Sequence, residues 1–179
     1  MKKNIWVCGL IGGVIAASWG VASAGALSDS LSLHTRLVLG YASMIVAFSL
    51  IFVAVKNYRD NDSHGIITFG KAFKIGLLIT LIASTVYVIV WMIDYSYFNP
   101  NYGDKYQAQV LAELKASGAS AAEIQRQGAQ MAVTMAKYKA SPTFRAMFSY
   151  LEIVPVGIVI SLIAALILKN NPKPAPANV

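Results

Sequence analysis

The stretch Leu37–Val55, LVLGYASMIVAFSLIFVAV, contains no charged residue. A hydrocarbon core of roughly 30 Å needs about 20 helical residues to cross it, and lipid offers the backbone no hydrogen-bond partners. A run of this length and composition therefore reads as a membrane-crossing helix. Working outward, Ile5–Leu27 and Ile75–Ile93 are equally free of charge, and Ala146–Leu168 carries one, Glu152. Four such segments in 179 residues, with 13% charged residues and a mean hydropathy of +0.57, predict an all-α integral membrane protein with four transmembrane helices. The expected spans are about 5–27, 37–55, 75–98 and 143–168, in one domain over residues 1–171. The Pro- and Ala-rich stretch 172–179 reads as a disordered tail.

The first segment has a second interpretation. Lys2, Lys3, an apolar run and Ala22-Ser23-Ala24 resemble a cleavable signal peptide. The uncharged run from Asn4 to Ser28 is too long for the ~7–15-residue core of such a signal. Gly9, Gly13, Ala17, Gly20 and Ala24 also recur at spacings of three and four, a face that lets a neighbouring helix approach closely. Both features favour a retained helix. The sole cysteine, Cys8, lies in this segment and reads as apolar filler.

The net charge of +7 is distributed as a topology signal. With four crossings, Lys2, Lys3, Lys56, Arg59, Lys71, Lys74, Lys169 and Lys173 share one side, opposed only by Asp60 and Asp62. Seven basic and six acidic residues fall on the other side. The positive-inside rule then puts both termini in the cytoplasm. No aromatic-interleaved basic patch exists for nucleic acid. The aromatic residues Tyr95, Tyr97, Phe98, Tyr102, Phe148 and Tyr150 suit an interfacial belt at the outer side.

Between the third and fourth spans, about 104–140 reads as an extramembrane helical hairpin. Tyr106, Val110, Leu111 and Leu114 share one face, and Gly118 is a stop signal. Ser120-Ala121-Ala122-Glu123 is a capping box, and Ile124, Met131, Met135 and Tyr138 form the second apolar stripe. Ser141-Pro142 starts the last span. The two helices bury too little to stand alone, so they should lie on the bundle or on a partner. The cytoplasmic turn Asp60-Asn61-Asp62-Ser63-His64-Gly65 half-matches a calcium loop but fails at His64 and at Lys71, and reads as a solvated turn.

An ionisable residue inside a membrane segment marks a candidate site. Glu152 is that residue here, and Pro155 leaves the Leu151 carbonyl without its usual donor. Ile153–Leu168 spans about 24 Å at ~1.5 Å per residue, so Glu152 lies near the outer boundary. Asp94 and Arg36 share that level, and an Arg36 ion pair with Glu152 or Asp94 is the expected structural arrangement. The candidate polar cluster is thus Glu152, Asp94, Arg36 and Pro155. His34 and His64 are expected on opposite sides and cannot share a metal. No phosphate loop, metal-ligand spacing or nucleophile–base set stands out, so no metal, no cofactor and no enzyme activity is expected.

Beyond these local signals, three stretches carry a family resemblance. They are Tyr41-Ala42-Ser43-Met44-Ile45-Val46-Ala47-Phe48 through Val55-Lys56-Asn57-Tyr58-Arg59-Asp60, then Thr68-Phe69-Gly70-Lys71-Ala72-Phe73-Lys74-Ile75-Gly76, and finally Leu151-Glu152-Ile153-Val154-Pro155-Val156-Gly157 with Ser161-Leu162-Ile163 and Leu168-Lys169. In order and spacing the chain resembles the bacterial membrane-protein family called domain of unknown function 4199. That resemblance implies four helices, a bacterial inner membrane and a retained first helix. It implies no activity. Two functions are compatible with the sequence. One is a non-enzymatic accessory or scaffold protein that binds a membrane-protein partner or a second copy through the small-residue face and the hairpin. The other is a small transporter or ion-coupled binding protein built on Glu152 and Asp94.

Overall fold

The computed structural model describes residues 2–25 and 31–170. The expected disordered tail and the end of the first expected span, residues 26–27, lie outside the described residues. Six α-helices follow in order: α1 Lys2–Ala24, α2 Leu33–Asn57, α3 Phe69–Tyr97, α4 Tyr102–Ala116, α5 Ala121–Ala140 and α6 Pro142–Leu168. A π-helical turn, Tyr58–Asp62, extends α2. Among the described residues there is no β-strand. Helices α1, α2, α3 and α6 are long and apolar enough to cross a membrane.

Capping, not hydropathy, sets where these helices begin. Ser32, Thr68, Ser120 and Ser141 each accept a hydrogen bond from the backbone N–H three residues on, at 3.2–3.4 Å. Helix α2 therefore starts at Leu33, four residues before its apolar run. Helix α3 starts at Phe69 and carries Lys71 and Lys74 in its first two turns. Gly118 ends α4 with φ +79, a left-handed conformation that favours glycine.

The bundle closes as a ring in which α3 lies along both α1 and α6, and α2 lies along both α1 and α6. Two tight seams hold it. On α3–α6, a Cβ at Gly76 would stand 2.7 Å from Ser161 Oγ, and one at Gly157 would stand 2.6 Å from Thr80 Oγ1. The missing side chains let these backbones approach, and the buried Thr80 and Ser161 hydroxyls meet at 3.3 Å. On α1–α3, a Cβ at Gly9 would meet Ile82 at 2.7 Å and one at Gly13 would meet Val86 at 2.6 Å. Phe48, Ile51, Ile79 and Ile153 fill the centre of the ring and are fully buried. Outside, Val46, Ile89, Val159 and Ile167 are exposed, as lipid-facing residues would be.

The α2–α3 connection is tied to the far end of α6. Ile67 and Asn170 exchange backbone hydrogen bonds of 3.0 and 2.9 Å, and Asn170 Nδ2 donates to Gly65 O at 2.8 Å. Thus His64 and this turn lie at the α6 C-terminal end, and His34, in the first turn of α2, lies at the other.

Candidate functional site

At the end opposite that tie, the α4–α5 hairpin is docked onto the bundle. Glu113 Oε1 accepts from Leu33 N at 2.8 Å, placing a carboxylate at the N-terminus of α2, where the helix dipole favours it. Gln109 donates to Leu31 O at 3.2 Å and accepts from the Arg36 guanidinium. On the other side of the hairpin, Trp91 Nε1 donates to Tyr138 Oη at 2.6 Å. Tyr102 meets Trp91 edge-on at 4.9 Å, and Tyr95 meets Tyr138 edge-on at 5.5 Å.

Arg145 locks this aromatic layer. It is 5% exposed, stacks 3.7 Å above the Tyr95 ring, and donates to Tyr138 O and Lys139 O at 3.2–3.3 Å. One planar cation thus joins α3, caps the last carbonyls of α5 and anchors the first turns of α6.

Under the hairpin lies a cavity of about 210 Å³ lined by all six helices. Arg36 on α2 and Glu152 on α6 both line it. Trp19, Tyr87, Trp91, Tyr102, Tyr106 and Tyr138 contribute aromatic rings to its wall. Burial pushes the Tyr102 and Tyr106 hydroxyls above the ordinary tyrosine range, with Glu152 raising them further and Arg36 opposing. Both charges therefore act on the same two rings. Leu37, Tyr41, Phe148 and Glu152 line the cavity and are also exposed. Its mouth consequently lies between the hairpin-end halves of α2 and α6. No residue of α2 before Met44 is buried, so this half of the helix stands away from the core.

The structure divides the sequence-predicted cluster. Glu152 and Arg36 face one cavity, but Asp94 and Pro155 do not line it. Asp94 is buried and accepts from Asn99 Nδ2 at 3.1 and 2.9 Å, so it closes the end of α3. Pro155 is exposed on α6. The expected Arg36 ion pair with Glu152 or Asp94 does not form. Arg36 engages Gln109 instead, its buried Nε has no acceptor, and among the described residues Glu152 has no basic partner. Depth along the membrane put these groups at one level, and the rotation of each helix separated them. The small-residue face sits within the protein: Gly9 and Gly13 pack on α3, Ala17 and Ala24 are buried, and Gly20 adjoins Tyr87.

The interfacial belt also splits. Tyr97 and Phe98 are exposed, whereas Tyr95 and Tyr102 turn inward. Arg145 carries no distinguishing sequence signal beyond its place one turn into α6, and its role depends on contacts with α3 and α5.

The family model described as "Protein of unknown function (DUF4199)" matches residues 8–170. The chain belongs to this family. No curated protein and no solved structure matches it. The DUF4199 match runs from α1 to the Ile67–Asn170 tie, so it includes the hairpin and the cavity.

Proposed function

We propose that this protein is a non-enzymatic binding protein of the bacterial inner membrane, holding a small ligand in the cavity beneath its hairpin. The observation that carries this reading is the pair Arg36 and Glu152, opposite charges that face one cavity and have no ion-pair partner among the described residues. Unpaired charges in a low-dielectric setting are costly, and a bound ligand offsets that cost. Binding without chemistry is supported by the serines of the wall. Ser23, Ser43 and Ser149 each donate to a carbonyl of their own helix, at 3.0, 2.7 and 3.1 Å, and are not aimed at a ligand with a base behind them. Binding without passage is supported by the sealed centre at Phe48, Ile51, Ile79 and Ile153. The N-terminal end of α1 and the C-terminal end of α6 are assigned to the cytoplasm, because Lys3, Lys56, Arg59, Lys71, Lys74 and Lys169 gather there.

An accessory role through partner contacts is the second reading. It loses the small-residue face, which α3 occupies, and rests on the hairpin, where α4 and α5 each bury a single residue, Gly103 and Tyr138. Purification in mild detergent followed by native mass spectrometry separates the two. The cavity reading expects a small-molecule adduct that is lost in Gly20→Leu, which directs a side chain into the space beside Tyr87 and Trp91. A bare chain, or a stoichiometric protein partner with no adduct, sinks it.

A further inference from the structure

We infer that the cavity takes a zwitterionic headgroup, an ammonium joined to a phosphate or carboxylate, that enters sideways from the membrane. This rests on the cavity-binding reading and adds the chemistry of the ligand and its route.

Arg36 and Glu152 stand on different walls, and neither has an oppositely charged side chain among the described residues. A cation would compensate Glu152 and leave Arg36 unpaired, and an anion would do the reverse. An uncharged ligand would compensate neither. Only a molecule carrying both signs satisfies both walls at once. Arg36 suits the acidic group: it lines the cavity, and Gln109 occupies only one of its guanidinium nitrogens. A planar fork with free donors binds phosphate and carboxylate oxygens well. Glu152 suits the ammonium, and the ring faces around it attract an organic cation. The raised Tyr102 and Tyr106 hydroxyls stay neutral, so they can donate to the ligand without adding charge.

Size and route agree with this chemistry. A volume of about 210 Å³ holds about seven groups of water size at roughly 30 Å³ each, the scale of a phosphoethanolamine unit and too small for acyl chains. Any chains must remain outside, and the mouth between α2 and α6 allows this. Leu37, Tyr41 and Phe148 are exposed at its rim and present apolar surface to a chain. Glu152 lies about 24 Å along α6 from Leu168, against a hydrocarbon thickness of roughly 30 Å. With Leu168 at the inner boundary, Glu152 lies within about 6 Å of where headgroups give way to chains, so an amphiphile reaches the cavity by a short lateral move.

Two sources supply such a headgroup, a bilayer lipid and a soluble zwitterion. Trp19 and Trp91 line the cavity and report on it by their emission. The full chain in maltoside detergent is titrated with dihexanoyl phosphatidylethanolamine, dihexanoyl phosphatidylglycerol and O-phosphoethanolamine. The expected result is a saturable change with the ethanolamine lipid, at least about tenfold tighter than with the glycerol lipid. Glu152→Gln should remove that preference by weakening the ethanolamine lipid alone. O-phosphoethanolamine binding as tightly as the lipid keeps the zwitterion chemistry but overturns entry from the membrane, whereas binding of the lipid alone supports both. Equal affinity for the two lipids in the unmodified protein overturns it and leaves cavity binding standing. So does silence toward all three probes when native mass spectrometry finds another adduct. Silence together with an empty mass spectrum takes down both readings.

Discussion

A methyl group added at Gly157 would stand 2.6 Å from Thr80 Oγ1 and 2.9 Å from Phe48 Cζ, in the sealed layer below the cavity. Nothing there is free to yield, because Thr80 and Phe48 are themselves fully buried. Gly157→Ala should cost about 1–3 kcal/mol through overpacking. At Gly20 the nearest atom to such a methyl is Tyr87 Cε2 at 3.6 Å, an ordinary contact beside open space. Gly20→Ala should stay within about 0.5 kcal/mol of the parent. Thermal unfolding of both variants in detergent checks this, and equal losses would contradict the packing described. At this scale the sequence was partly informative. Glu152 is visible as the lone charge in an apolar segment. Arg145 is not, because a basic residue at a span boundary is ordinary, and only the ring of Tyr95 and the carbonyls of α5 show that it is buried.

Among the elements, the α4–α5 hairpin depends most on its surroundings. Its apolar faces, with Tyr106 on α4 and Met135 and Tyr138 on α5, are legible from spacing. Their docking partners are not, since Glu113 to Leu33 and Gln109 to Arg36 join residues far apart in the chain. Burial, chiefly, raises the hydroxyls of Tyr102, Tyr106 and Tyr138 above their ordinary value of 10.0. A raised folded-state value means the folded state holds the proton more tightly. The resulting stability is complete below about pH 10 and is lost as the pH rises through the folded-state values. The hairpin should therefore loosen on alkaline titration, and Tyr102→Phe should flatten that response. Tyrosinate absorbance followed alongside near-ultraviolet circular dichroism reads both. Ionisation of these three at the ordinary tyrosine value, or with no change in the near-ultraviolet signal, would contradict it.

For the whole molecule, the ring of α1, α3, α6 and α2 makes one end basic and gives the other a hairpin and a cavity. The proposed orientation puts the basic end in the cytoplasm. Alkaline phosphatase fused at Gly118, between α4 and α5, should be active, and the same fusion at Gly65 should be inactive. The reverse pattern would invert the assignment and bring the cavity mouth to the cytoplasmic leaflet.

Local physics made the membrane helices readable from the sequence, together with the caps Ser120 and Ser141, whereas Ser32 and Thr68 start α2 and α3 ahead of the expected spans. Uninterrupted apolar length requires helices in lipid, and a serine or threonine before a run supplies the missing acceptor for its first turn. Small residues at helical spacing likewise announced a close approach. What the sequence left open was which helix would make that approach. Tertiary structure chose α3, and it turned Arg36 and Glu152 into one cavity while directing Asp94 to Asn99. The reason is that hydropathy measures depth along the membrane, whereas the rotation of a helix about its own axis is set by the side chains it packs against. A site shared by six helices is therefore a property of the packed bundle.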